Sequence, residues 1–303
     1  MSTVVGRFAP SPTGRLHAGN IFAALVTWLV TKSQGGEVVL RIEDLDPDRS
    51  KQCYIEALQR DFEFLGLTWD RGPYFQSTRA EVYREAFASL DERGLVYPCY
   101  CSRADLHAVA APHFGEKPVY PGTCRHLTSA QQSERGKLRD AALRLIVPDA
   151  TFSFLDGVQG RYAQNLKNDC GDFIIRRSDG AFAYQLAVVL DDAEQGVNSI
   201  VRGVDLLCST PQQLYLQQLF SIEHPTYAHV PLLVNENGHR LSKRDHAASI
   251  DEMRERFKTP EAIIGHLAAI TGIAPTNDPI SPLNLLNCFT LEPLYQKQKI
   301  VWR

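Results

Sequence analysis

The chain predicts an α/β fold with a parallel-sheet main domain, an inserted subdomain and a short helical C-terminal part. Three observations predict it. Thr3 to Ala9 alternates in polarity as a strand does, and a turn rich in Pro, Ser and Gly follows through Gly14. Residues 17 to 33 then carry an apolar stripe at Ile21, Leu25, Trp28 and Leu29, the spacing of a helix stopped by Gly35-Gly36. Val38 to Ile42 supplies a second strand. Strand, helix and strand in about 40 residues make a right-handed βαβ unit, the usual opening of a parallel sheet.

The remaining elements follow in order. Ser50 to Leu65 and Thr78 to Arg93 read as helices, the second ended by Gly94. From Tyr97 to about Asn168 periodicity weakens, and prolines, glycines and cysteines accumulate. That texture marks residues 97–168 as an insertion between two halves of the main domain, 1–96 and 169–245. Phe173 to Arg176 and Ala183 to Leu190 read as strands returning to the main sheet, and Ile200 to Val204 as another. Pro211 to Phe220 is helical, Val230 to Val234 a strand, and Asn235-Glu236-Asn237-Gly238 a turn. Residues 246–303 are expected to be helical, Glu261 to Gly272 most clearly.

Composition narrows the function classes. With 303 residues, 44% hydrophobic and 22% charged, the chain has the balance of a globular protein of two domains or one domain with an insertion. No stretch approaches the ~20 apolar residues of a membrane span. No basic region followed by an apolar one opens the chain, so a cytoplasmic location is the expectation. A net charge of −3 argues against a non-specific nucleic-acid binder and leaves RNA recognition to a local basic face, for which Arg103, Lys117 and Arg125 are candidates. Seven scattered cysteines do not suggest a disulfide framework. A monomer is the simplest expectation.

Two segments carry chemistry. Arg7 to Asn20 reads RFAPSPTGRLHAGN, a strand ending in a Pro/Gly-rich turn that opens a helix. Backbone N–H groups and the positive end of a helix at a strand's carboxyl edge attract phosphates. His17 can donate a hydrogen bond to a phosphate oxygen, and Gly19 would let a nucleotide approach the backbone closely. Leu241 to Asp245 reads LSKRD, placing Ser242, Lys243 and Arg244 in a loop where a mobile lysine can follow charge developing on a phosphate. His17 and Lys243 lie 226 positions apart. Together they suggest one ATP site built from both ends of a nucleotide-binding domain. A third feature is Cys99-x-Cys101 followed by Tyr120, Cys124 and His126. Three soft ligands and one N or O donor could complete a tetrahedral zinc site, with His126 the chemically ordinary fourth ligand.

These motifs resemble the class I aminoacyl-tRNA synthetases of the glutamyl group. His17-Ala18-Gly19-Asn20 is similar to the HIGH signature, with Asn20 in place of the last His. Leu241 to Asp245 is similar to the KMSKS signature, with Leu241 in place of Met. RFAPSPTG, RIEDLD from Arg41 to Asp46, YQLAVVLDD from Tyr184 to Asp192 and RGVDLLCSTP from Arg202 to Pro211 resemble the glutamyl subgroup. The resemblance implies a Rossmann-type catalytic domain. It implies an L-glutamate site over Arg7, Phe8, Ala9, Pro10, Ser11, Glu43, Tyr184 and Arg202, and an ATP site over His17, Gly19, Asn20, Ser242, Lys243 and Arg244. ATP with Mg²⁺ is the implied co-substrate. His17 and Lys243 are the implied catalytic groups. Arg7 would hold the side-chain carboxylate of glutamate, Glu43 its ammonium, and Tyr184 and Arg202 would fix its orientation. Cys99, Cys101, Tyr120 and Cys124 match the structural zinc ligands of short members, so the resemblance selects Tyr120.

Length selects within the group. Fifty-eight residues follow Asp245, room for a small helical subdomain of the stem-contact kind and not for an anticodon-binding domain. The chain thus resembles the short members that activate glutamate without tRNA and attach it to queuosine at the wobble position of tRNA(Asp). A truncated synthetase charging a tRNA 3′ end and a non-catalytic tRNA-binding paralogue are the alternatives.

Overall fold

The computed structural model describes residues 3–102, 105, 119–241 and 248–302. Arg103 and Lys117 of the expected basic face, and Ser242, Lys243 and Arg244 of the second segment, lie outside the described residues.

The opening unit forms as its pattern requires. β1 (Val5–Phe8) is buried along its length, α1 (Ala18–Lys32) follows, and β2 (Glu37–Ile42) runs parallel to β1 with Arg7 opposite Val39. The stripe Ile21, Leu25, Trp28 and Leu29 lies in the main core. At Gly36 a Cβ would stand 2.3 Å from the Val4 carbonyl oxygen, so the tight return into β2 admits only glycine. The helix Gln52–Phe64 adds Leu58 and Phe62 to the same core. β3 (Arg71–Phe75) then extends the sheet parallel to β2. Pattern reading missed this strand because Gly72-Pro73 resembles a turn. It sits at the end of its sheet, where a residue without an N–H donor is tolerated.

The middle of the chain departs from expectation in three places. β4 (Val96–Cys99) and β5 (Ala142–Leu145) pair antiparallel, while β6 (Thr151–Asp156) and β7 (Gly160–Asn165) form a hairpin. β8 (Phe173–Arg176), expected in the main sheet, pairs with β5 instead. Ala183 to Leu190, expected as a strand, belongs to the helix Tyr184–Glu194. Its successive residues Leu186, Ala187, Val188 and Val189 are all buried. A helix enclosed on every side shows no amphipathic period, so the apolar run mimics a buried strand. Val230 to Val234, expected as one strand, is divided by Pro231 between β10 (Thr226–Val230) and β11 (Leu232–Val234).

β9 (Ser199–Gly203) and β10 run parallel, and β6 joins β10 on its other side, so residues 97–168 supply a strand to the parallel group. The two parallel groups meet at β1 and β9. There Val5 donates its N–H to Asn198 Oδ1 at 2.8 Å, and Asn198 donates its N–H to Val5 O at 3.1 Å. The chain leaves β1 through α1 toward β2 on one side, while β9 flanks the other. Such a switch point opens a crevice at the carboxyl ends of the strands.

The C-terminal part holds the helices Ile250–Phe257 and Pro260–Thr271, the second capped by Thr259 and closed by left-handed Gly272. It also contributes β12 (Lys299–Val301), parallel to β11. Its Ile263, Ile264, Leu267 and Leu285 share one core with Phe8, Leu25 and Leu40. Among the described residues no helix is long and apolar enough to cross a membrane.

Candidate active site

A cavity of about 540 Å³ opens at the carboxyl ends of β1, β9 and β10. Arg7, Phe8, Ala9, Pro10, Ser11, Glu43, Tyr184 and Arg202 all line it, as do His17, Gly19 and Asn20. Residues from four sequence regions thus converge. The second segment is represented by its flanks: Arg240 lines the cavity, and Leu241 is buried in the main core, an apolar anchor at the position where Leu replaces Met.

The α1 N-terminus explains the first segment. His17 is the N-cap, and Gly19 donates its N–H to His17 Nδ1 at 3.1 Å. Asn20 completes the capping box by accepting the His17 N–H on Oδ1 at 3.3 Å. Asn20 therefore has a local structural partner. While Nδ1 accepts, the neutral imidazole carries its proton on Nε2, so that nitrogen has donor character. A Cβ at Gly19 would lie 3.1 Å from His17 Cε1 and 3.2 Å from Nδ1. The glycine thus makes room for the histidine ring, a reason distinct from nucleotide approach.

Charge organises the floor of the cavity. Arg7 is buried, donating from Nε to Asp192 Oδ1 at 3.4 Å and from Nη1 to Val201 O at 3.1 Å. Arg41 is fully buried beneath, donating to the same Asp192 oxygen at 2.6 Å, to Gln195 Oε1 at 3.0 Å and to Glu43 Oε1 at 3.3 Å. Burial alone would lower the pKa of Arg41, but Asp192, Glu43 and Asp191 more than offset it and raise it. Burial pushes the Glu43 carboxyl above its ordinary range, with Arg41 and Arg7 pulling the other way. The backbone N–H of Glu43 is fixed to Pro10 O at 3.0 Å. Burial, then the Glu43 charge, raises the pKa of Tyr184 and keeps its phenol protonated. The helix Tyr184–Glu194 is braced by Asp191, which accepts from Gln76, Arg79 and Tyr83.

On the far wall Arg202 donates from Nε to His229 Nε2 at 3.0 Å and from Nη2 to Thr210 Oγ1 at 2.8 Å. Arg15, which also lines the cavity, bridges Asp61 and Asp251, and Arg254 also reaches Asp61. This network ties the first segment to the helix that follows the second. Ile250 N–H also donates to Leu16 O at 3.0 Å. Sequence reading gave no role to Arg41, Asp192 or His229. The Asp191-Asp192 pair in an otherwise apolar run was the available signal, since buried acids need partners.

The cysteine cluster lies in a separate place, beside β4. Cys99, Cys101 and Cys124 hold their sulfurs within 4.8 Å of one another. Tyr120 Oη lies 3.4 Å from Cys99 Sγ and accepts the Cys124 N–H at 2.9 Å. Tyr120 is buried, whereas His126 is exposed and is not part of the convergent group among the described residues. Arg144 stacks its guanidinium 3.6 Å above the Tyr120 ring, and Arg135 donates to Cys124 Sγ at 3.6 Å. Burial and then the neighbouring sulfurs push the Cys101 thiol up to about 12. Three thiols this close resist joint ionisation unless a cation joins them, so the donor set fits a thiophilic metal.

The sequence matches the family tRNA synthetases class I (E and Q), catalytic domain, over residues 3–292. A Glutamyl-Q tRNA(Asp) synthetase of Nitratidesulfovibrio vulgaris is 45% identical over 300 residues, 94% of this chain and 93% of that protein. Another, from Pseudomonas fluorescens, is 48% identical over 242 residues, 80% of this chain and 76% of its own. The crystal structure of a glutamate tRNA ligase from Elizabethkingia meningosepticum, in complex with its amino acid, has the same fold. It matches with a TM-score of 0.81 at 24% identity, covering 100% of this chain and 67% of that one. By sequence and fold together, the chain belongs to the class I tRNA synthetases of the E and Q group.

Proposed function

We propose that this protein activates L-glutamate with ATP and transfers the glutamyl group to the queuosine cyclopentenediol at the wobble position of tRNA(Asp). The observation that carries the first half is one cavity holding two buried arginines, Arg7 and Arg202, with Glu43 between charges and a helix N-terminus at His17. Glutamate has two carboxylates and one ammonium, and the cavity offers the complementary set. The acceptor is supported by the Glutamyl-Q tRNA(Asp) synthetases, similar over 94% of the chain.

In this reading Arg7 receives the side-chain carboxylate and Glu43 the ammonium. Tyr184 and Arg202 orient the α-carboxylate. One of its oxygens attacks the α-phosphorus of ATP in line. The bond from that phosphorus to the bridging oxygen breaks, and pyrophosphate leaves. His17 donates from Nε2 to a phosphate oxygen, and Lys243 follows the developing charge, with Gly19, Asn20, Ser242 and Arg244 around the nucleotide. Mg²⁺ bound with ATP supplies charge neutralisation at the leaving group. A queuosine hydroxyl then attacks the carbonyl carbon of the mixed anhydride. The C–O bond to phosphate breaks, AMP leaves, and the hydroxyl proton passes to solvent. Cys99, Cys101, Tyr120 and Cys124 would hold one structural Zn²⁺, and the burial of Tyr120 supports it over His126 as fourth ligand.

Glutamate-dependent ATP–pyrophosphate exchange without tRNA tests the first half. The expected result is exchange with L-glutamate and not with L-glutamine or L-aspartate. Absence of exchange with glutamate would favour a non-catalytic tRNA-binding protein.

A further inference from the structure

We infer that His229, held by Asp156, is the positioning residue that aims Arg202 into the cavity. This rests on the reading of Arg202 as the contact to the glutamate α-carboxylate and deepens it. The three residues sit at the carboxyl ends of three adjacent parallel strands. Arg202 on β9 is directly opposite His229 on β10, and Asp156 ends the neighbouring β6.

The hydrogen bonds run in one direction. Asp156 Oδ2 lies 2.5 Å from His229 Nδ1, and the Asp156 carboxylate also accepts the His229 backbone N–H at 3.0 Å. His229 Nε2 lies 3.0 Å from Arg202 Nε, whose hydrogen can only be donated. Nε2 must therefore be the acceptor and Nδ1 the protonated nitrogen. Both partners are enclosed: the His229 and Asp156 side chains have no exposed surface. Thr210 Oγ1 takes the second branch of the guanidinium, from Nη2 at 2.8 Å. Nη1 is buried without a hydrogen-bond partner among the described residues, and Arg202 lines the cavity. Two branches of the fork are tied to neutral protein groups, so the guanidinium of Arg202, which lines the cavity, keeps its charge for a ligand there. An arginine on a long stem would otherwise lose rotamer freedom on binding, so the relay supplies that ordering in advance.

A neutral imidazole suits this task better than a second carboxylate. It accepts one hydrogen bond without neutralising the guanidinium, so Arg202 keeps its full charge for the substrate. A carboxylate in contact with Arg202 would compete with the α-carboxylate. Asp156 stands one residue further back, its charge spent on His229 and on the N–H groups of Val158 and Gln159.

Amide replacements separate positioning from packing. His229→Gln can put a carbonyl oxygen near the Nε2 position and keep the acceptor. His229→Asn reaches only the Nδ1 position, keeping the Asp156 contact and losing Arg202. Pyrophosphate exchange by the full chain is the assay, with Arg202→Lys as the control on the underlying reading. A hydrogen bond to a charged group corresponds to a roughly 10- to 100-fold effect. His229→Asn should raise KM for glutamate by about that factor and leave KM for ATP within about twofold. His229→Gln should recover most of the loss. Equal effects of the two amides, or no effect of either, would overturn the inference while leaving the glutamate reading intact. An unchanged KM for glutamate in Arg202→Lys would instead remove the underlying reading. Nitrogen-15 NMR of the histidine ring in the unaltered protein gives an answer independent of variant folding. The expected tautomer at neutral pH has the proton on Nδ1 of His229. A proton on Nε2 would rule the relay out.

Discussion

Replacing Gly19 by alanine separates the stability of α1 from its function. Gly19 is the second residue of the helix and has no positive φ, so alanine fits the backbone. Helix propensity then favours the variant by about 0.4–1 kcal/mol. Against this, the new Cβ would stand 3.1 Å from His17 Cε1 and 3.2 Å from Nδ1, and the ring must move by a few tenths of an ångström. That weakens the 3.1 Å cap bond from the Gly19 N–H, and losing a cap costs about 0.5–2 kcal/mol. The two effects nearly offset, so unfolding stability should change by no more than about 1 kcal/mol. The catalytic effect has no such offset. Deleting a preorganised donor lowers a rate by about 10²–10³-fold, and displacing it should cost part of that, about 10- to 100-fold in pyrophosphate exchange. The cycle with His17→Ala decides the cause. If Gly19 acts through the ring, the double variant is no slower than His17→Ala alone. Additive losses would refute this reasoning and assign Gly19 to direct nucleotide approach.

Three further outcomes follow from the same geometry. Arg7→Gln leaves Asp192 paired with Arg41 at 2.6 Å, so the chain should still fold, while kcat/KM for glutamate falls by about 10²–10³-fold and preference over glutamine collapses; an unchanged preference in competition assays would remove Arg7 from the side-chain contact. Glu43 sets a pH dependence: burial raises its carboxyl pKa above the ordinary 4.5, and an incoming ammonium favours the carboxylate, so kcat/KM for glutamate should rise with pH up to the raised value and level off above it. For folding alone the same group has the opposite sign, its contribution present below 4.5 and lost as pH rises through the folded value, so pH profiles of activity and thermal stability measured together, with Glu43→Gln as the flat reference, separate the two. At the cysteine cluster, freshly purified protein should contain about one zinc per chain by metal analysis, and Cys124→Ser or Tyr120→Phe should lower retention against a chelator more than His126→Ala does.

How much of this was legible in the sequence varies with the physics involved. The βαβ opening was readable because α1, though buried without a break from Ala24 to Leu29, is too long for a strand and lies between Gly-containing turns, and β2 is a short apolar run. The resemblance to the glutamyl group, with the charge pattern of glutamate, brought together Arg7, His17, Glu43, Tyr184 and Arg202, which do line one cavity. The helix Tyr184–Glu194 was misread because burial on all sides erases periodicity, and β3 was missed because Gly72-Pro73 carries a turn signal inside an edge strand. The supports of the site were hidden for a different reason. Arg41 and Asp192 are 151 positions apart, and Asp156 and His229 are 73 apart. Such pairs are made by strand order, which no local pattern encodes. The capping box of His17 and Asn20 was local, and its three-residue spacing was open to reading.

The acceptor is the central claim, and mapping the labelled nucleotide tests it most directly. Radiolabelled glutamate, ATP and the protein would be incubated with tRNA(Asp) carrying queuosine and with tRNA(Asp) lacking it, followed by nuclease digestion. Label is expected on the wobble nucleotide of the first and none on the second. Label on the 3′ adenosine would contradict it.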